Sequence, residues 1–317
     1  PSNNFTLSTS GTATGRVDIT FPTISITENG IYNVRDYTLA DVAVQPVATY
    51  TVNEIAMRTI SGSISGDATT IGSYAFAACS SLTAASFSAC TTISTQAFTS
   101  CYKLTTISFP VCTSIGSSAF SACSSLTTAN FPACTSISAY AFYACYRLTT
   151  ASFPVCTLVS SNAFYACYSL ATVSFPECKS ISAYAFTSCS SLTTASFPKC
   201  TSIGWSAFTG CSSLTTASFP ACTSLGAYAF ARCYKLTTIS FPVCTIISTY
   251  TFSGCSSLTA ASFPACTSIA SYAFQGCYNL LSLYLLGSSV VSLSANAFSS
   301  TPISNYTTST GGVYGSI

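Results

Sequence analysis

The sequence predicts a solenoid, a chain wound into a stack of short coils, and three observations support this fold class. Cysteine recurs every 11 residues from Cys79 to Cys277, so that 19 cysteines form two alternating series with a true period of 22 residues. Leucine and phenylalanine follow the same period. Only 5% of the residues are charged, against about 25% in an ordinary globular domain, so hydroxyl groups must supply most of the polar surface. A fixed period of this length is typical of solenoids.

Each repeat has the same order of apolar positions. The unit that starts at Cys101 reads C-Y-K-L-T-T-I-S-F-P-V-C-T-S-I-G-S-S-A-F-S-A, and roughly ten such units run from residue 71 to residue 298. A short strand near Ala84–Phe87 should pair in parallel with its copy one coil away, and its inward side chains should stack into columns. Proline follows the phenylalanine of this strand in eight units and should end the strand, because it lacks an amide donor.

The motif carries a family resemblance. The spacing Leu82-x-x-Ala85-x-Phe87-x-x-Cys90 matches the leucine-rich-repeat signature. The following I-x-x-x-A-F-x-x-C segment, from Ile93 to Cys101, resembles the repeat of BspA-like bacterial surface proteins. This resemblance implies a leucine-rich-repeat solenoid, a right-handed coil with a parallel β-sheet on the inner face and an irregular or 3-10 outer face. It also implies a role in recognition at the cell surface.

The repeat boundaries suggest how the chain is organised. Val17, Ile19 and Phe21 alternate as in a strand, and Thr51-x-x-Glu54 has the spacing of a capping box that opens a short helix. We therefore expect four regions: a tail and small β-rich module at 1–46, a cap with a short helix at 47–70, the solenoid at 71–298 and a partial cap at 299–317. We also expect the chain to be part of a longer protein whose leader and anchor lie outside it.

The cysteine ladder has three interpretations. The first is a buried stack of thiols that pack as small apolar groups, since every cysteine falls where the repeat needs a small inward residue. Disulfides between adjacent coils are the second, although side chains in a ladder point the same way and not at each other. A ladder of soft-metal ligands is the third. So many thiols would suit a reducing or anaerobic setting.

The residue inventory argues against several functions. The chain has no histidine, which removes the usual general base and the commonest metal ligand, and the repeats contain a single acidic residue, Glu177. We therefore expect no enzyme activity, no metal and no cofactor. Lysine and arginine are too sparse for nucleic-acid binding. No run of 18 apolar residues exists, so no membrane span is expected.

Comparison of the ten repeats shows where the surface varies. The position after the first cysteine alternates between serine and tyrosine, and two further outer positions also vary, whereas Trp205 stands alone beside Ser206. Tyrosine and serine at exposed positions are typical of binding surfaces. The candidate ligand-binding residues are the tyrosines that cluster with one another or with basic residues, together with those basic residues. They are Tyr102, Lys103, Tyr140, Tyr143, Tyr146, Arg147, Tyr165, Tyr168, Tyr234 and Lys235.

Three functional hypotheses remain open. The first is a non-catalytic recognition or adhesion protein, extracellular or on the cell surface, that binds a protein or glycan of a host or neighbouring cell as a monomer. The second is a structural spacer, such as a component of a phage tail or appendage. The third uses the rows of threonine and serine on the sheet, from Thr106 to Thr238 and from Ser108 to Ser240, as a flat array that binds a regular surface. Cross-strand pairing on an ordinary polar sheet face would explain these rows equally.

Overall fold

The computed structural model describes the side chains of residues 62–285 and 292–303, together with the backbone of strands outside these ranges. The chain divides into two compact units, residues 1–155 and 156–317. Within the described residues the regular structure consists of strands and turns, and no helix occurs. Each unit is a stack of coils, which confirms the predicted solenoid.

In the N-terminal unit each coil contributes two strands. The longer strands form the first face of the solenoid: β2 (Thr23–Ile26), β4 (Leu39–Val44), β6 (Ile60–Gly66), β8 (Ser81–Phe87), β10 (Thr106–Ser108), β12 (Thr128–Asn130) and β14 (Thr150–Ser152). The two-residue strands form the second face: β1 (Ala13–Thr14), β3 (Tyr32–Asn33), β5 (Thr51–Val52), β7 (Thr70–Ile71), β9 (Thr92–Ile93), β11 (Ser114–Ile115) and β13 (Ser136–Ile137).

The C-terminal unit repeats this arrangement. Its first face contains β16 (Thr172–Ser174), β18 (Thr194–Ser196), β20 (Thr216–Ser218), β22 (Thr238–Ser240), β24 (Ala260–Ser262), β26 (Ser282–Leu285), β28 (Tyr306–Thr308) and β29 (Val313–Tyr314). Its second face contains β15 (Leu158–Val159), β17 (Ser180–Ile181), β19 (Ser202–Ile203), β21 (Ser224–Leu225), β23 (Ile246–Ile247), β25 (Ser268–Ile269) and β27 (Ser292–Leu293). The strand pairs described within this unit are parallel, except that β29 is antiparallel to β28.

Coils stack in register, so equivalent positions lie directly over one another. On the first face Ile107 pairs with Ala85, 22 residues earlier, and on the second face Ile115 pairs with Ile93. Neighbouring parallel strands lie about 4.8 Å apart, which sets the spacing between coils. The register explains why each repeat position has one environment along a whole unit.

The core consists of the predicted inward columns. Leucine, both phenylalanine columns, the isoleucine column and both cysteine series are buried, as Leu82, Phe87, Phe98, Cys101 and Ile93 show in one coil. Within each phenylalanine column the rings stack on those of the next coil, and the two columns meet in tilted or edge-on contacts; Phe98 lies 5.0 Å from Phe76 and 5.9 Å from Phe109 between ring centroids. Aromatic pairs favour such geometries, so the ladder stabilises the stack beyond its buried area.

A third side of each coil, here called the turn face, is the outer face that the resemblance implies, and it consists of turns with hydrogen bonds between residues three apart, such as Thr99 N–H to Gln96 O. It runs from the glycine, serine or alanine after the second-face strand to the next cysteine, and alternate amides donate hydrogen bonds to carbonyls of the following coil. Phe98 N–H, for example, donates to Ala119 O at 2.7 Å. Two positions per coil take the left-handed conformation, represented by Gln96 (φ 56°) and Ser100 (φ 60°). The outer half of the coil is thus as regular as the inner half.

In the N-terminal region the described backbone consists of short strands, and the predicted division into a β module, a helical cap, a solenoid and a partial C-terminal cap stays a prediction. β4, which lies before the predicted boundary at residue 46, pairs in parallel with β6, which lies after it. β6 in turn pairs with β8, so these strands extend the first face of the solenoid. Thr51–Val52, where the helix was expected to begin, is strand β5, as suits β-branched residues. The rest of that proposed helix, residues 53–59, lies outside the described residues.

Candidate functional site

The tyrosine and basic residues chosen from the sequence lie mainly on one corner of the coil, just after the first cysteine. Tyr102 N–H donates to Ser100 O at 2.9 Å and Leu104 N–H donates to Cys101 O at 3.0 Å, so a tight turn forces residues 102 and 103 outward. The hydrogen bond from the leucine amide to the cysteine carbonyl recurs in each coil from Leu82 to Leu280. We call the residues at these two positions the Tyr/basic edge; its tyrosine and basic members are Tyr102, Lys103, Tyr146, Arg147, Tyr168, Tyr234, Lys235 and Tyr278.

In the N-terminal unit, Tyr102 and Tyr146 are about half exposed, at 52% and 46%, and Lys103 and Arg147 are exposed beside them. Tyr140 and Tyr143 belong to the turn face. Their ring centroids lie 5.8 Å apart with a tilt of 59°, and Tyr143 is half-buried. This unit therefore brings Tyr140 and Tyr143 into contact and presents the two Tyr–basic pairs at its corner.

In the C-terminal unit, Tyr168 and Tyr234 are exposed, and Lys235 is exposed next to Tyr234. Tyr165 lies on the turn face and is half-buried. That the tyrosines and Arg147 between residues 140 and 168 form one dense patch stays a prediction. What the edge can offer a ligand is clear from its groups: amphipathic rings, phenol hydroxyls and positive charges, on a surface with few other charges.

A row of aromatic rings, which the sequence analysis did not single out as a site, lies on the turn face of the C-terminal unit. Tyr228, Tyr250 and Tyr272 occupy the same position in three successive coils and stack with ring centroids 4.7 and 4.9 Å apart. Trp205 joins Tyr228 to Tyr184 through edge-on contacts of 6.5 and 4.9 Å. Trp205, which stands alone in sequence, is therefore the second member of a five-membered row, from Tyr184 to Tyr272, that we call the aromatic row.

The row is continuous because Trp205 fills a gap. Ser206 holds the position that tyrosine occupies in the other four coils, and the indole from the preceding residue takes the missing place. At the far end, Asn296 Nδ2 donates to the Tyr272 hydroxyl at 3.2 Å. The 22-residue spacing of Tyr228, Tyr250 and Tyr272 was a usable signal, but the contribution of Trp205 depends on where its ring points.

Ring stacking also changes the chemistry of the row. Partial desolvation and the neighbouring phenols Tyr228 and Tyr272 raise the pKa of Tyr250 above its usual value. The Tyr250 hydroxyl therefore stays protonated and can both donate and accept hydrogen bonds across the neutral pH range.

The first face offers rows of exposed hydroxyls, as predicted, and a depression in the C-terminal unit. Thr238, Ser240, Ser262, Ser282 and Tyr284 line a cavity of about 340 Å³ together with alanine, isoleucine and threonine side chains of the same strands. The cavity lies where Ala260 interrupts the threonine row and where Tyr284 replaces the serine of earlier coils. Its lining has no charged group.

The cysteines form a chemically quiet ladder. All 19 are buried and carry thiols, as the first interpretation predicts. In one series the thiol donates to a carbonyl of the preceding coil, as Cys123 Sγ does to Phe98 O at 3.1 Å. Burial raises the pKa of Cys90 to about 11 and that of Cys112 to about 12. The nucleophilic thiolate is therefore scarce at neutral pH, and these cysteines have the character of core residues.

The described residues provide no other reactive cluster. Among them, no group of three or more potential ligands could hold a metal ion. Glu177 forms an exposed ion pair with Lys199, whose Nζ lies 2.6 Å from Oε2. Among these residues there is also no helix long and apolar enough to cross a membrane.

Together, the coil geometry and the variable outer residues define a leucine-rich-repeat solenoid, a class of proteins that generally bind other molecules and are not enzymes. The profile described as the BspA type leucine rich repeat region matches residues 57–171 and 179–305, in six copies. This match covers more than half of the chain, so the chain belongs to the BspA-type leucine-rich-repeat family, which suggests a recognition role at the cell surface.

Several solved structures are similar. A leucine rich cell surface protein from Faecalibacterium prausnitzii A2-165 is 25% identical, over 80% of this chain and 84% of that one, with a TM-score of 0.38. A leucine-rich repeat protein from Bacteroides ovatus ATCC 8483 is 22% identical, over 77% and 86%, with a TM-score of 0.37. The pneumococcal vaccine antigen PcpA is 12% identical, over 84% and 74%, with a TM-score of 0.44. The comparison with curated proteins found no match.

Proposed function

We propose that this chain is a non-catalytic recognition module, exposed on a cell surface, that binds a protein or glycan of a host or neighbouring cell through the Tyr/basic edge. One observation carries the proposal: tyrosines about half exposed lie beside lysine or arginine at one corner of the coil, on a chain that is only 5% charged. Tyrosine supplies contact area at low entropic cost, and exposed aromatic groups in clusters usually mark contact surfaces.

The edge residues are not required by the coil itself. Where some coils have Tyr102–Lys103 or Tyr234–Lys235, others have Ser124–Ser125 or Ser212–Ser213 at the same turn. The solenoid therefore accepts serine at both positions without loss of the inward columns. The larger residues contribute something other than folding, and ligand contact is the role that their chemistry fits.

The experiment is a binding screen against host matrix proteins and glycans, followed by edge variants. We expect that replacing Tyr146 and Arg147 by serine weakens binding of any ligand found, and that Tyr102→Ser with Lys103→Ser does so as well, by about tenfold or more. The matched control is Tyr74→Ser, which removes an exposed tyrosine from the turn face. Unchanged affinity in both edge variants would exclude this surface, and a screen without ligands would favour a spacer role.

A further inference from the structure

The aromatic row of the C-terminal unit is a second surface whose composition folding does not explain. The four tyrosines of the row have φ angles of 57° to 60°, which lie in the left-handed region; they are Tyr184, Tyr228, Tyr250 and Tyr272. Glycine and asparagine adopt this region more easily than a bulky aromatic residue. The same position holds Asn162 in another coil of this unit, so tyrosine is used here against the local backbone preference.

The row is a narrow, extended feature. It is one ring wide and crosses five successive coils, with centroids 4.7 to 6.5 Å apart. A specific protein interface normally needs a patch of about 800 Å² on each partner. A line of rings, one from each successive coil, is matched better by a linear polymer whose own units repeat along the line.

The chemistry of the row selects a neutral ligand. None of its five side chains carries a charge at neutral pH, so it has nothing to pair with phosphate, sulfate or carboxylate groups. The stacked tyrosines cover one another's ring faces and leave edges and hydroxyls for hydrogen bonds. The indole plane of Trp205 is turned 61° and 69° from those of its neighbours, and this side chain is 47% exposed.

From these observations we propose that Tyr184, Trp205, Tyr228, Tyr250 and Tyr272 bind a neutral, linear polysaccharide. Such a chain combines flat C–H faces, which pack on the exposed indole, with hydroxyl groups, which exchange hydrogen bonds with the phenols. Several weak contacts in series give useful affinity through multivalency. The inference uses a different surface from the Tyr/basic edge and does not rest on the function proposed for it.

The chain contains its own reporter, because Trp205 is its single tryptophan. The complete chain is titrated with neutral six-unit oligomers while its tryptophan fluorescence is recorded. The oligomers are β-1,4-, β-1,3- and α-1,4-linked glucose, β-1,4-linked mannose and β-1,4-linked N-acetylglucosamine. Glucose and a polyproline peptide are titrated in the same way. We expect a saturable change with at least one neutral oligomer but not with glucose. Raising the salt concentration about tenfold should leave the affinity unchanged, since no ionic contact is involved.

Two matched variants complete the test. Tyr250→Asn removes the central stacked ring and places a residue that suits the left-handed backbone, so the thermal midpoint should stay the same or rise while oligomer affinity falls about tenfold. Tyr74→Asn makes the same change at the same coil position, where the next coil has Gln96, and should leave oligomer affinity unchanged. Absence of a response to every oligomer, wild-type affinity in Tyr250→Asn, or a response to polyproline alone would overturn the proposal.

Discussion

At the scale of single residues, stability comes from side chains that contact their own copies one coil away. Thr105 Oγ1 donates to Thr83 O at 3.0 Å, and Thr127 Oγ1 donates to Thr105 O at 3.2 Å, so even exposed threonines tie consecutive coils together. Inside, Phe186 lies between Phe164 and Phe208, with ring centroids 5.2 Å away on both sides. One substitution in such a column removes two contacts at once.

We expect Phe186→Ala to lower the free energy of unfolding by about 3–5 kcal/mol, because a fully buried ring is lost between two others and leaves a cavity. Phe186→Leu should cost clearly less, since most of the volume is kept. Chemical denaturation of both variants measures this. Equal, small losses would mean that the column is not packed as described.

The buried thiols give stability a dependence on high pH. Folding raises the pKa of Cys178 and Cys222 from 9.0 to about 12 and that of Cys200 to about 11. A raised pKa in the folded state means that the unfolded chain loses these protons first, so the stabilisation is complete below pH 9 and is lost as pH rises towards 12.

Between pH 9 and 11 we therefore expect the free energy of unfolding to fall, by up to about 1.4 kcal/mol per pH unit for each such thiol. Below pH 9 this contribution should be constant. Denaturation midpoints at pH 7, 9, 10 and 11 test the sign, and a matched Cys200→Ala variant should show a shallower decline. A midpoint that rises above pH 9 would contradict the burial of the ladder.

At the scale of the element, the coil is the unit that the sequence specifies best. The periods of cysteine, leucine and phenylalanine predict the inward columns, and proline after Phe109 marks a strand end that the structure has at Ser108. The ordered turn face could not be predicted, because most of its left-handed positions hold Tyr, Gln, Ser, Ala or Arg and only a few hold the glycine or asparagine that signals this backbone conformation. The aromatic row was missed for the same reason: ring direction depends on that backbone.

Equivalence of the coils predicts the result of a deletion in the N-terminal unit. Removing residues 109–130 joins Ser108 to Phe131. Because Ser108 is normally followed by a phenylalanine of the same column, Phe109, the deletion keeps every column in register. This variant should retain the far-ultraviolet circular dichroism of the parent and unfold cooperatively. Removing only residues 109–119 misaligns the columns and should lower the thermal midpoint much further. Similar midpoints for the two deletions would refute the 22-residue unit.

At the scale of the whole molecule, the scarcity of charge is the dominant property. Seven acidic and nine basic residues give a net charge of +2 at pH 7 and an isoelectric point near 7.9. Hydroxyl groups hydrate the surface but provide no long-range repulsion between molecules. Electrostatic protection against association is therefore weakest close to the isoelectric point.

We expect self-association, measured by light scattering at a fixed protein concentration, to be greatest near pH 8 and smaller at pH 5. At pH 5 the histidine-free chain should gain little charge except by protonation of carboxyl groups, so the difference should be modest. Replacing the half-buried Ser124 and Ser212 at the coil corner by glutamate moves the isoelectric point down and should move the maximum with it. A maximum that stays at pH 8 would point to association by specific contacts.

The in-register stacking of coils also has a genetic consequence. Each coil corresponds to 22 codons, so unequal recombination between two repeats of the gene, when it joins equivalent bases, gains or loses a whole coil and preserves the reading frame. The product would still bury the same columns, and its outer surface would lengthen or shorten in steps of about 4.8 Å. Descendants of one gene could thus differ in reach while sharing one interior, and selection would act on the exposed rows alone.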